Sequence, residues 1–354
     1  MNRSNSLKKA KGQLKETILP NGSLSFLDRI NRLEEILNGY ITTAISNVPK
    51  ETFESLRDFW TAIRHCFNLH QEGLALEATQ LFYDKIYCNK AFIDVYELTP
   101  ESKLFRIRTS EYGGLYSKEE MFHIPFDKRY LVSNNRFSVY GFPSLYLGES
   151  TYICWEEMEN PNFDTCNISV FSNNHPLSVI NLSPIMEDFD TDKILKYPLA
   201  YVCSLGACHH DSPFKEEYVI PQILMQCLLI DNKANPQTSC VGIKYISNKA
   251  YTQRPLFPLN EKEDLKRYYN YVFPAFGPYD NMWHSKKLQS LFSWSAPETY
   301  GRYRLRHSNM PLEEVRYKDT YGYSAFYQME SWCYLQLIRD NMQKYENLAG
   351  ALSF

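Results

Sequence analysis

Two adjacent carboxylates, Glu156 and Glu157, close a stretch reading NRFSVYGFPSLYLGESTYICWEEM from Asn135 to Met158. A carboxylate held in place can face the positive charge that grows on a sugar as its glycosidic bond breaks, as the carboxylates of glycosidases do. Adjacent residues on a helix point in different directions, so only one of the two enters a given pocket. A bare Glu-Glu pair is more often a solvated helix face. Arg106, Arg108 and Arg136 each carry a planar fork of donors that matches phosphate oxygens. An isolated arginine is more often a surface charge on a buried stem. Ser247 lies outside any Gly-x-Ser-x-Gly elbow, which argues against a serine-nucleophile hydrolase. Cys203, Cys208, His209, His210 and Asp211 offer metal ligands within a few residues. No second Cys or His pair stands at ligand spacing, so no metal is expected.

The elements that must hold these residues change character along the chain. Residues 1–22 read as a basic, frayed tail that lacks the apolar segment of a signal peptide. Three helical patterns follow over 23–95. The first runs through Phe26, Ile30, Leu33, Ile36 and Leu37, and the second through Phe53, Leu56, Phe59, Trp60 and Ile63. The third uses Leu74, Leu76, Ala78, Leu81 and Phe82. Pro49 fits the first turn of the second helix. Over 100–250 short strand-like runs alternate with turns. Phe105-Arg106-Ile107-Arg108 alternates as a half-buried strand does, which puts both arginines on one face. Met121–Phe126 reads as extended, 168–171 and 178–182 as strands, 218–229 as helix and 241–246 as strand. Tyr140-Gly141-Phe142-Pro143 is a tight turn, Leu145-Tyr146-Leu147 a strand, and Glu149-Ser150-Thr151 a capped helix start that carries Ile153, Cys154 and Trp155 inward. Residues 251–354 read as an aromatic-rich extension with helices over 261–272 and 324–345. The last of these has Phe326, Met329, Trp332, Cys333 and Leu337 on one side.

Composition narrows the function classes. Hydrophobic residues make up 44% of the 354, enough for a real core, and a net charge of -3 leaves no electrostatic footprint for nucleic acid. No apolar run approaches a membrane span. Nine scattered cysteines point to reduced thiols in a cytoplasm.

The central stretch resembles the RES domain, the family named for its arginine, glutamate and serine. The family's basic-aromatic pair, Gly-x-Pro turn and Leu-Tyr-Leu strand appear here as Arg136-Phe137, Gly141-Phe142-Pro143 and Leu145-Tyr146-Leu147. Its small residue three before an acid appears as Cys154 and Glu157. Leu104–Arg108 is similar to the family's opening strand. Tyr218–Leu224 with Gly242–Ser247 is similar to its last helix and strand. The family commonly has Gly-Gly-Arg-Trp where this chain has Asn134-Asn135-Arg136-Phe137, which removes glycine freedom, asparagine being the next most tolerant of positive φ.

The resemblance implies an α+β chain: a central mixed α/β domain similar to ADP-ribosyltransferases, flanked by helical N-terminal and C-terminal regions. It implies NAD as substrate, cleaved at the nicotinamide–ribose bond by hydrolysis or phosphorolysis, in a cytoplasmic toxin or defence effector. A protein-modifying ADP-ribosyltransferase and a non-catalytic nucleotide-binding module are the alternatives. On this reading Glu157, eleven residues after Tyr146, faces the ribose charge, with Glu156 as the adjacent alternative. Arg106 matches the first family arginine, with Arg108 able to replace it, and Arg136 the second. Tyr146 stacks on nicotinamide or ribose, and Tyr116 or Tyr112 fills a further stacking role. Ser247 bonds the ribose or orients the acid, and Gln222 supports the site from behind. Small members are paired with an antitoxin, so an antitoxin or regulatory partner is implied, and an oligomer is left open.

Overall fold

The computed structural model describes residues 3–45, 48–110, 114–183, 193–209, 211–237, 239–251, 265–307 and 321–351. Helices α1 (Arg3–Ile18), α2 (Phe26–Ala44), α3 (Lys50–Gln71) and α4 (Ala75–Phe82) come first. Strands β1 (Val95–Leu98), β2 (Lys103–Thr109) and β3 (Ser144–Gly148) lead to helix α5 (Thr151–Glu157). Then come β4 (Cys166–Asn173), β5 (Leu177–Leu182), α6 (Tyr197–Ser204), α7 (Val219–Ala234) and β6 (Gly242–Ile246). β7 (Tyr269–Pro274), α8 (Lys286–Leu291), β8 (Phe292–Trp294), α9 (Tyr300–Arg306) and α10 (Ala325–Ala351) complete the described chain. Helices stand beside strands paired in both senses, an α+β fold. Two compact units share the chain, each gathered from three segments. One holds residues 1–96, 130–142 and 178–251, and the other 97–129, 143–177 and 252–354. The stretch expected as a central domain, 100–250, therefore contributes to both.

In the first unit, helices α1 to α4, α6 and α7 accompany the parallel pair β5 and β6, with Val179 opposite Gly242. Ser25 opens α2 with a reciprocal capping box to Asp28. Phe26, Ile30, Leu33, Ile36 and Leu37 are buried as their spacing requires, and so are Leu56, Phe59, Trp60 and Ile63. The third pattern is corrected: Ala78 and Phe82 of α4 are buried, whereas Leu74 and Leu76 are exposed. The frayed tail is corrected too. Residues 3–18 form α1, and Ala10, Leu14 and Ile18, four apart, are buried. A buried arginine ends that helix. Arg29 donates to the carbonyls of Thr17 (3.1 Å), Ile18 (2.9 Å) and Gly206 (2.8 Å), and pairs with Glu217 at 2.9 Å. Burial lowers its pKa, while its partners favour the charged form.

The second unit is built on five strands in the order β7-β3-β2-β4-β8, each antiparallel to its neighbour. Register divides its faces. Phe105 lies opposite Val170 and Ile107 opposite Ile168, so these side chains share one face. Met329, Cys333 and Leu337 of α10 pack on that face, with Cys154, Trp155 and Met158 at its edge. The long C-terminal helix thus buries the stripe that its spacing marked. On the other face, Phe122 stacks on Trp294 with ring centres 4.7 Å apart.

Two local readings are refined in this unit. The helix read over 261–272 is corrected: 261–264 lie outside the described residues, and 269–274 form β7, with all six side chains buried. A strand covered on both faces loses the period-two signal, and its aromatic spacing mimics a helical one. Residues 121–126, read as extended, join no strand: Met121 ends a short 3-10 turn, Phe122 is extended, and Phe126 opens the next 3-10 turn. Met121, Phe122 and His123 bury three side chains in a row there, and Pro125 removes a ladder donor. All nine cysteines are free, and among the described residues no helix is long and apolar enough to cross a membrane.

Candidate functional site

Helix α5 is fixed from its N-terminal end. Ser150 caps it: its hydroxyl accepts the Ile153 amide at 3.1 Å and donates to the Arg267 carbonyl at 2.7 Å. Glu330 of α10 accepts the Thr151 amide at 2.7 Å and the Thr151 hydroxyl at 3.1 Å. Burial raises the Glu330 pKa, and these bonds oppose the shift. The strand before the helix approaches closely at Gly148, where an added Cβ would meet Cys154 Sγ and Ile153 Cγ2 at 2.7 Å. With its start fixed, the helix gives the two acids different surroundings. Glu156 is half-buried and accepts the Tyr152 hydroxyl, one turn back in the same helix, at 2.7 Å. Glu157 is exposed, and its Oε1 accepts from Asn270 Nδ2 of β7 at 3.0 Å.

The arginines of β2 lie on the face away from α10. Only one bridged pair, Phe105 with Gly148, joins β2 to β3. Arg106 reaches across and donates to the Tyr146 carbonyl at 3.0 Å. Burial and the neighbouring Arg108 charge lower its pKa to about 10, which leaves it charged at neutral pH. Arg108 donates to the Glu120 carbonyl, and its guanidinium lies 4.4 Å from the Tyr116 ring centre. That ring is set by the Tyr116 amide on Asn167 Oδ1 (3.0 Å) and its hydroxyl on the Thr109 carbonyl (2.8 Å). Tyr146, by alternation from Gly148, shares the face of Phe105 instead. Cys154, at the edge of the α10 face, donates its thiol to the Phe105 carbonyl at 3.2 Å, and burial pushes its pKa up to about 12. Tyr112 lies outside the described residues.

Arg136, Gln222 and Ser247 belong to the first unit. Arg136 donates to the carbonyls of Cys203 (2.6 Å) and Leu205 (3.1 Å). Gln222 holds the preceding loop through Asn134 Oδ1 (2.6 Å) and the Asn135 carbonyl (3.1 Å). Neither asparagine takes a positive φ, so this loop folds without glycine at either position. Ser247 is buried just after β6, and its hydroxyl accepts the Lys249 amide at 3.1 Å. Cys203 is buried and Cys208 is half-buried. Among the described residues no three His, Cys, Asp or Glu side chains are grouped to hold a metal ion. His210 lies outside them.

Asn270 and Glu330 were missed from sequence. The first stands in the segment read as helix, and the second is one acid among many polar positions of a long helix. The Tyr-Asn-Tyr-Val-Phe alternation at 269–273 was the available signal for the first.

An α+β protein with this arrangement has a named relative. The chain is 31% identical over 242 residues to "Putative toxin YopC" of Bacillus subtilis (strain 168), an alignment covering 62% of this chain and 52% of that protein. It thus spans about half the length of the curated relative it matches. No family model matches the chain, and no solved structure does.

Proposed function

We propose that the chain is a toxin of the RES class that breaks the nicotinamide–ribose bond of NAD. The observation that carries this reading is the placement of Glu157. A capped helix, anchored at both Ser150 and Thr151, holds this carboxylate beside Asn270, and the resemblance assigns the acid to this residue. The name of the Bacillus relative supports the toxin role. In the reaction the C1′–N bond breaks and its electron pair leaves with nicotinamide. Positive charge then sits on the ribose, and a carboxylate facing it acts mainly in the transition state. An oxygen of water or phosphate bonds to C1′ and gives up its proton. Arg106 offers its fork to the pyrophosphate, and Tyr116, braced by Arg108, offers a flat ring to an aromatic base.

Incubating the purified full chain with NAD, with and without phosphate, and identifying the products by mass spectrometry tests this. Free nicotinamide with ADP-ribose marks hydrolysis, and ADP-ribose phosphate formed only with phosphate marks phosphorolysis. ADP-ribose attached to protein marks a transferase instead. No nicotinamide release under any condition overturns the proposal.

A further inference from the structure

Two donors on the α10-free face of the second unit lack an acceptor. Arg106 and Ser169 are direct cross-strand partners on β2 and β4, so their side chains leave the sheet on the same side. Ser169 is fully buried, and its Oγ has no hydrogen-bond partner; Arg106 Nε is buried and has none either. Buried polar groups are nearly always satisfied, because leaving one unmade costs its full desolvation. One such atom is a local defect. Two on facing residues point to a missing common acceptor.

Asn167 and His123 are already engaged. The Asn167 side chain, two residues along on the same face, already bonds the Tyr116 amide and the Gly114 carbonyl. His123 uses Nδ1 on the Ile124 carbonyl (2.7 Å) and Nε2 on the Ser285 amide (2.9 Å). Neither Arg106 nor Arg108 forms an ion pair among the described residues, so two close cations have no carboxylate to balance them. An acceptor that satisfies both donors and offsets this charge is an oxyanion.

We propose that Arg106 and Ser169 together hold a phosphate oxygen, with Ser169 a binding residue of the site. That this phosphate belongs to a dinucleotide rests on the NAD reading; the anion site itself does not. Arg106 is partly exposed and Ser169 is not, so the anion approaches along the guanidinium and the hydroxyl meets it at the sheet. No covalent step is involved.

The test is calorimetric titration of the full chain with inorganic pyrophosphate and with ADP-ribose, comparing the natural protein with Ser169→Ala. The expected result is affinity for both ligands that falls about tenfold in the variant, the worth of one hydrogen bond to a charged group. Thermal melting of the ligand-free variant should match or exceed that of the natural protein, since an unsatisfied hydroxyl has been removed. A hydroxyl with a merely structural role would instead lower the melting temperature and leave affinity unchanged, which would overturn the proposal. Absence of pyrophosphate binding to the natural protein would overturn it as well. If pyrophosphate binding is weakened by Ser169→Ala while NAD is not consumed, the anion site stands and the NAD reading falls. If NAD is consumed with the same KM in the variant, the NAD reading stands and the Ser169 assignment falls.

Discussion

The two neighbouring acids differ in the chemistry open to them. Glu156 is tied within its own helix to Tyr152, whereas Glu157 takes a donor from Asn270 of a different element. Asn270→Ala should therefore leave the fold intact and lower NAD turnover about tenfold or more, by releasing a charge-assisted bond; steady-state kinetics checks this. Arg106→Lys should weaken NAD binding, because an ammonium cannot make the two-pronged contact. Calorimetry showing unchanged affinity would move that role to Arg108. His123 gives a pH signature. Burial, reinforced by the nearby Arg106 and His284, lowers its pKa from 6.5 to about 4, against the bond to the Ile124 carbonyl and the charge of Asp280. The neutral ring is the folded form, so its contribution is complete above pH 6.5 and is lost as pH falls toward about 4. That loss amounts to roughly 3 kcal/mol. Denaturation midpoints for the natural protein and for His123→Gln should differ most above this window and converge within it. The strand that carries Arg106 and Arg108 was legible in the sequence because Phe-Arg-Ile-Arg alternates within an apolar run. Asn270 and Ser169 were not, since a single small polar residue in a buried strand carries no pattern.

Helix α5 owes its position to its first turn. Ser150→Ala removes both the cap and the bond to the Arg267 carbonyl. It should cost about 1–2 kcal/mol in urea unfolding, with a loss of turnover as Glu157 shifts. Gly148→Ala places a methyl against Cys154 and Ile153. Overpacking of this kind costs about 1–3 kcal/mol, and the same helix should move. Elements with one wet face were read correctly: α2 and α3 by their apolar stripes, β2 by alternation, α5 by its Ser-Thr start. β7 was not, because a strand buried on both sides shows no wet face to the sequence. α1 was passed over because its apolar residues are sparse among lysines, yet Ala10, Leu14 and Ile18 fall on one stripe.

At the scale of the molecule, order along the chain hides the partition. The second unit takes β2 and β3 from the middle of the chain but β7, β8 and α10 from its C-terminal third. A fragment of residues 97–250 lacks those elements and also α1 to α4. It should be insoluble or unfolded by circular dichroism. Such long-range pairing leaves little local trace in a sequence. In the first unit, Arg29→Met breaks a buried ion pair with Glu217 and should cost about 3–5 kcal/mol. The proposed cleavage of NAD is tested most directly by the rate of nicotinamide release, measured for the full chain, Glu157→Gln and Glu156→Gln. Release by the natural protein, a loss on the order of a thousandfold in Glu157→Gln, and near-normal release by Glu156→Gln is the expected result. No release by the natural protein, or two variants as active as it is, would contradict the assignment of the acid and of the reaction.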